Sequence, residues 1–214
     1  MMRELLRKAP ICAILRNVPS ELLETYGETV FRGGIRMFEV AMNSQDGPRQ
    51  IERLKQHFKD RPEVKVGAGT VTTPDRCREA EMAGADFFLT PSVSEYTLKF
   101  CRERQISLLP GVMTPSDVAL CLEYGYTVMK LFPAGDLPPR YIDSLKGPFD
   151  GTDYVAVGGV NRENVRAFFD RGFIGVGIGG NLIPKEYVIE GRWDLAEYFV
   201  RDLVKAAGCN NPQF

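Results

Sequence analysis

Short, nearly uninterrupted apolar runs recur along this chain, each separated from the next by a segment with helical signals. The runs are ICAIL from Ile11, RMFEVAM from Arg36, VKVGAG from Val64, DFFLT from Asp86, SLLPG from Ser107, TVMKLF from Thr127, DYVAVGG from Asp153 and FIGVGIGG from Phe173. A strand with one wet face alternates apolar and polar residues. A run that is apolar at both parities marks a strand buried on both faces, as parallel strands are. Between the runs, Ser20 precedes ELLETYGETVFRGG and reads as an N-cap. Thr73-Pro74 and Thr114-Pro115 each open a segment with proline in its first turn, and Asn161 reads as the cap of RENVRAFFDRG. Gly34, Gly84, Gly125 and Gly172 stand where those segments stop.

About eight strand–helix repeats with short connections imply a closed parallel barrel. The expected fold class is therefore α/β, a compact single-domain (β/α)8 TIM barrel. An open doubly wound sheet is the rival, but it carries its glycine-rich turn after the first strand. Here the glycine clusters lie late in the chain. The sequence has 214 residues, 44% of them hydrophobic, enough for one well-buried core. The barrel is expected over residues 1–208, with a disordered polar tail at 209–214.

Charge and composition narrow the function classes. The formal net charge is -1 and the basic residues are scattered, which argues against a nucleic-acid partner. No apolar run approaches the length of a membrane span, and the N-terminal segment lacks a long apolar stretch and a small-residue cleavage site. Five cysteines, an odd number with no CxxC pair, point away from a full disulfide framework and toward a reducing, cytoplasmic setting. Cys209 stands too far from the C-terminus for a prenylation signal. The single histidine, His57, lies in the charged stretch RLKQHFKDR, which rules against a histidine triad or a multi-histidine metal site. His57 itself reads as surface.

In barrels of this kind the active site lies at the carboxyl ends of the strands. Lys130, inside VMKLF, is costly to charge in a buried strand, and a neutral amine there is the nucleophile that imine chemistry needs. The alternative is a strand-end lysine reaching solvent. Glu39 interrupts MFEVAM and suits a general acid or base with a raised pKa; the alternative is a buried ion pair with an arginine such as Arg16. Arg16 ends the first run, where a guanidinium suits a substrate carboxylate. Glycine clusters at Gly67–Gly69, Gly158–Gly159 and Gly177–Gly180 let ligands approach the backbone, and the last two follow the seventh and eighth runs, where barrels bind phosphate. Close helix–strand packing is the plainer explanation of the same glycines. Lys65 and Asp86 lie toward strand starts and read as structural or solvated.

These residues carry a resemblance. The segments AILR, GGIRMFEVAMNS, VGAGTV, FFLTPS, LLPGVMTPSD, VMKLFPA, AVGGV and GIGGNLIP follow in order from Ala13 to Pro184. As a set they resemble the 2-keto-3-deoxy-6-phosphogluconate (KDPG) / 4-hydroxy-2-oxoglutarate (KHG) aldolases of class I, a family that includes the 2-keto-3-deoxy-6-phosphogalactonate aldolases. The resemblance implies that Lys130 forms the imine and Glu39 is its acid/base. It implies that Thr70, Pro91 and Phe132 line the pyruvate pocket, and that Gly158, Gly159, Gly179 and Gly180 form the phosphate loops. It implies a homotrimer, no metal or organic cofactor, and a keto-acid substrate that releases pyruvate.

Three positions depart from the gluconate-type pattern. Asn43 stands where many such members carry arginine, leaving Arg16 to supply the guanidinium, as in galactonate-type members. Val157 stands where threonine is usual, and Asn181 replaces a common serine beside the phosphate loop. Two other readings stay open at this point: a phosphosugar isomerase, epimerase or decarboxylase on a similar barrel, and a catalytically silent barrel that binds a phosphate ligand.

Overall fold

The computed structural model describes residues 2–44 and 46–208. Nine parallel strands form one nearly closed barrel: β1 Ile11–Leu15, β2 Met37–Ala41, β3 Lys65–Gly69, β4 Phe87–Leu89, β5 Ser107–Leu109, β6 Gly111–Val112, β7 Val128–Leu131, β8 Asp153–Val157 and β9 Gly175–Ile178. Their hydrogen-bonded order is β5-β4-β3-β2-β1-β9-β8-β7-β6. The two ends of that order, β5 and β6, are consecutive pieces of one stave interrupted at Pro110, which has no N–H to give the ladder. The stave still bonds on both sides: Thr90 N–H donates to Leu109 O at 3.3 Å and Lys130 N–H to Pro110 O at 2.8 Å. The run SLLPG is thus a single stave, and the expected eight-stave barrel is the architecture observed.

Helices connect the strands: α2 Leu23–Arg32, α3 Gly47–His57, α4 Pro74–Met82, α5 Glu95–Glu103, α6 Pro115–Glu123, α7 Tyr141–Lys146 and α8 Val165–Asp170, preceded by α1 Met2–Lys8 and followed by α9 Lys185–Ile189 and α10 Trp193–Ala206. The Thr73 hydroxyl accepts from Arg76 N–H, and Thr114 and Asp117 form a reciprocal capping box. The Asn161 side chain accepts from the N–H groups of Glu163 and Asn164, one turn ahead of α8. Ser20 departs from expectation. It opens a 3-10 turn, Ser20–Leu22, and its hydroxyl accepts from Gln50 rather than capping α2. That bond ties the loop after β1 to α3, a tertiary demand no local pattern announces.

Parity along each strand sorts residues into two cores. Odd-numbered β1 residues Ile11, Ala13 and Leu15 join the layer between barrel and helices, while Cys12 faces the barrel interior. Inside the barrel, Cys12, Met37, Phe87, Val128 and Val155 pack with Met2 and Leu6 of α1, which closes the amino-terminal end. Burying Leu6 contributes roughly 1.5–3 kcal/mol and keeps water out from below. The interior therefore opens at the carboxyl end of the strands.

The remaining surface readings stand. His57 Nε2 lies 3.2 Å from Glu28, which Arg61 and Arg32 also bind. Asp86 accepts from Val66 N–H and pairs with Lys55, and Lys65 Nζ bonds Pro62 O. Cys12, Cys77, Cys101 and Cys121 are free and buried. Cys209 and the tail 209–214 lie outside the described residues. Among the described residues no helix is long and apolar enough to cross a membrane.

Candidate active site

Among the described residues, Glu39 and Lys130 enter the barrel interior above the Cys12 thiol. Glu39 in β2 follows Met37 by two residues and Lys130 in β7 follows Val128 by two, so each points inward one layer nearer the open end. Glu39 is 1% exposed and Lys130 6%. Lys130 therefore does not reach out to solvent, and its Nζ lies 4.9 Å from the centre of the Phe132 ring. Among the described residues neither side chain forms an ion pair, and Glu39 Oε2 has no hydrogen-bond partner. The alternative of a Glu39–Arg16 pair is not what the fold builds.

Burial governs both protonation states. It lowers the pKa of the Lys130 amine, with the Glu39 carboxylate opposing that shift and Arg16 reinforcing it. Burial raises the pKa of Glu39, against the pull of Lys130 and Arg16. Each group is pushed toward its neutral form, the state in which an amine is a nucleophile and a carboxyl can give a proton. The thiol of Cys12, raised well above its ordinary range by burial, stays neutral beneath them.

These couplings predict opposite effects on the pH profile. Attack on a ketone needs the neutral amine, so under the imine-forming role that the resemblance implies for Lys130 the acidic limb of ketone trapping is expected to follow this lysine. Glu39→Gln removes a negative neighbour and should move the limb to lower pH. Arg16→Ala removes a positive one and should move it to higher pH. Borohydride trapping with saturating pyruvate across pH checks both signs; limbs that coincide in all three proteins would rule out the coupling.

Arg16 leaves the end of β1 and meets two neighbours from other staves. Its Nη1 donates to Asn43 Oδ1 and its Nη2 to Thr70 Oγ1, each at 3.3 Å. Both acceptors are neutral, and among the described residues Arg16 forms no ion pair. Thr70 holds φ at 57°, a left-handed conformation costing a non-glycine residue roughly 1–2 kcal/mol. Asn43, which stands out in sequence only as a departure, is here an orienting acceptor for Arg16. Pro91 follows β4 and packs directly on Gly111, where an added Cβ would meet the Pro91 backbone at 2.5 Å.

The glycine clusters after β8 and β9 form one continuous rim. Gly135, after β7, donates to Gly158 O at 2.8 Å, and a Cβ at Gly135 would lie 2.8 Å from Gly159 Cα. Asn164 Nδ2 donates to Gly159 O and Asn181 Nδ2 to Val160 O. The carbonyls of Gly158, Gly159 and Val160 are thus bonded within the protein. Among the described residues the N–H groups of Gly159, Gly180 and Asn181 have no protein acceptor, and Gly180 faces open space. Gly179 packs on Ile14, and Val157, 3% exposed, points inward beside Gly177.

One contributor carries no side chain: Gly69, whose cluster reads in sequence as room for a ligand, makes room instead for a side chain of the protein. A Cβ at Gly69 would lie 1.5 Å from Glu39 Oε1 and 2.1 Å from its carboxyl carbon. The Glu39 head occupies the space Gly69 leaves. The alternate glycines of VKVGAG, read on the inward parity, are the signal that could have revealed it. Among the described residues no three His, Cys, Asp or Glu side chains gather where they could hold a metal ion.

Fold and site together define a single-domain parallel-barrel enzyme with a buried lysine and glutamate at the end where such barrels carry their chemistry. The family model for KDPG and KHG aldolase matches residues 2–198. The chain is 32% identical over 175 residues to a 2-dehydro-3-deoxy-phosphogluconate aldolase of Pseudomonas aeruginosa, covering 81% of this chain and 78% of that one. It is 30% identical over 196 residues to a 2-dehydro-3-deoxy-6-phosphogalactonate aldolase of Escherichia coli, covering 91% and 94%. A KDPG aldolase of Legionella pneumophila, solved with pyruvate captured as a covalent carbinolamine intermediate, superposes with a TM-score of 0.86 at 26% identity over 95% of this chain and 98% of that one. The chain belongs to the KDPG and KHG aldolase family, and it is an aldolase, a lyase.

Proposed function

We propose that this aldolase cleaves a 2-keto-3-deoxy-6-phospho sugar acid to pyruvate and glyceraldehyde 3-phosphate through an imine on Lys130. The observation that carries this reading is a lysine 6% exposed, without an ion pair among the described residues, sharing the barrel interior with a glutamate that burial drives toward its neutral form. Arg16, oriented by Asn43 and Thr70, holds the substrate carboxylate, while Pro91 and Phe132 line the pocket around its keto group. The Lys130 amine attacks the C2 ketone to give a carbinolamine; neutral Glu39, through water, gives the proton with which the carbinolamine hydroxyl leaves as water, so that a protonated imine and the Glu39 carboxylate remain. Glu39, working through water in this scheme, takes the proton of the C4 hydroxyl. The C3–C4 bond breaks, its electron pair flows into the imine, and the aldehyde departs. The enamine takes a proton at C3, and hydrolysis returns pyruvate and the free lysine. The unspent N–H groups of Gly159 and Gly180 suit a terminal phosphate, with Gly158 and Gly179 allowing the approach.

Arg16 and Val157 favour a galactonate-type substrate, because valine offers no hydroxyl to the sugar chain where gluconate-type members tend to carry threonine. Hydroxy-oxoglutarate, split to pyruvate and glyoxylate, is a second substrate within the same chemistry. On the same resemblance the protein works as a cytoplasmic homotrimer. Borohydride reduction in the presence of pyruvate, followed by peptide mass mapping, tests the central claim. A reduced pyruvate adduct on Lys130 is expected. Folded protein that gains no adduct under conditions labelling a known class I aldolase would return the chain to the isomerase or silent-barrel readings. Cleavage of the two C4 epimers, compared side by side, then decides the substrate.

A further inference from the structure

The first turn of α4, just past the loop after β3, carries a second arginine that no part of the mechanism above uses. This is Arg76, its N–H fixed by the Thr73 cap. Its Nη1 donates to Thr72 Oγ1 at 2.7 Å and to Thr70 O at 3.4 Å, and the Thr72 hydroxyl reaches the same carbonyl at 3.5 Å. Among the described residues Arg76 has no carboxylate partner. Thr70, whose carbonyl receives these bonds, is the residue held at φ 57°, and its hydroxyl accepts from Arg16. The contacts form a chain: α4 fixes Arg76, Arg76 and Thr72 grip the Thr70 carbonyl, and Thr70 turns its hydroxyl toward Arg16.

We propose that Arg76 is a positioning residue for carboxylate recognition, holding Thr70 in its left-handed conformation so that Arg16 is aimed at the acid group of the substrate. A non-glycine residue leaves that conformation readily once its carbonyl is released. Relaxation of Thr70 takes away one of the two acceptors that orient the Arg16 fork. Arg76 touches no reacting atom in this scheme. Its loss weakens binding of the carboxylate and leaves the amine and its carboxyl partner in place. The inference rests on the reading of Arg16 as the carboxylate-binding residue.

The test compares borohydride trapping of pyruvate with trapping of acetone, a ketone without a carboxylate, in the unaltered protein and in Arg76→Ala, Arg76→Lys, Thr70→Gly and the double variant Thr70→Gly/Arg76→Ala. Arg76→Ala is expected to raise the pyruvate concentration for half-maximal trapping about tenfold, the scale of one lost charge-assisted hydrogen bond. Trapping with acetone should change less than about twofold, because no acid group is being oriented. Arg76→Lys should recover part of the loss. In the Thr70→Gly background, where glycine needs no clamp, removing Arg76 should have little further effect. An equal loss with pyruvate and acetone would make Arg76 merely structural and overturn the proposal, as would an unchanged pyruvate dependence. Failure of the unaltered protein to trap any ketone on Lys130 would instead overturn the aldolase mechanism itself.

Discussion

Lys130→Ala is expected to lower kcat/KM for keto-acid cleavage by about 10⁴-fold or more, since covalent catalysis is then lost and only binding and general acid–base help remain. The fold should survive. Lys130 forms no ion pair among the described residues, and burial already disfavours its charge, so truncation strands no partner. Its removal creates space beside Phe132, an ordinary core cost of about 2–5 kcal/mol at most, offset by relief of a desolvated amine. Steady-state cleavage with a coupled pyruvate assay, read beside the unfolding temperature, separates the two effects. Turnover within tenfold of the unaltered protein would remove the imine from the mechanism.

Gly69→Ala is expected to act almost as strongly by a purely steric route. The new Cβ would overlap Glu39 Oε1 at 1.5 Å, its carboxyl carbon at 2.1 Å and Cγ at 2.6 Å. β3 and β2 are neighbours paired through Ala41 and Gly69, so the backbone has little room to retreat and the carboxyl must leave. Losing a placed acid/base group costs about 10²–10⁴ in kcat, and forcing a methyl into a filled interior costs about 1–3 kcal/mol of stability. Gly67→Ala serves as the comparison. Its Cβ would strike the Phe87 ring at 2.3 Å, one layer lower, which disturbs packing and leaves the Glu39 seat open. Kinetics of the two variants at temperatures where both are folded should show Gly69→Ala losing far more kcat. Equal losses would mean that Glu39 does not depend on the hollow at Gly69.

Much of this was readable beforehand because buried charge is conspicuous. Lys130 and Glu39 interrupt apolar runs at positions where a charged side chain has an energetic cost, so each announces itself without any knowledge of its neighbours. The stave pattern was equally open, since a parallel strand covered on both faces must be apolar at both parities. The split of the fifth stave at Pro110 was visible only as a proline within SLLPG; that the strand keeps its pairing on either side depends on β4 and β7. Ser20 does not cap α2 because its hydroxyl is claimed by Gln50, thirty residues away in sequence.

What the sequence determined by itself was therefore the alternation that closes into a barrel and the two ionisable residues, Lys130 and Glu39, that this pattern places in its buried interior. What the tertiary structure decided was who stands beside whom: Asn43 and Thr70 on Arg16, Asn181 on Val160, Arg76 on Thr70, and the Glu39 carboxyl in the space above Gly69. The physical reason is that these contacts depend on register and tilt, which are properties of the closed sheet as a whole. A glycine in particular has no chemistry to advertise; its role exists only once another stave brings a side chain to the place where its own would have been.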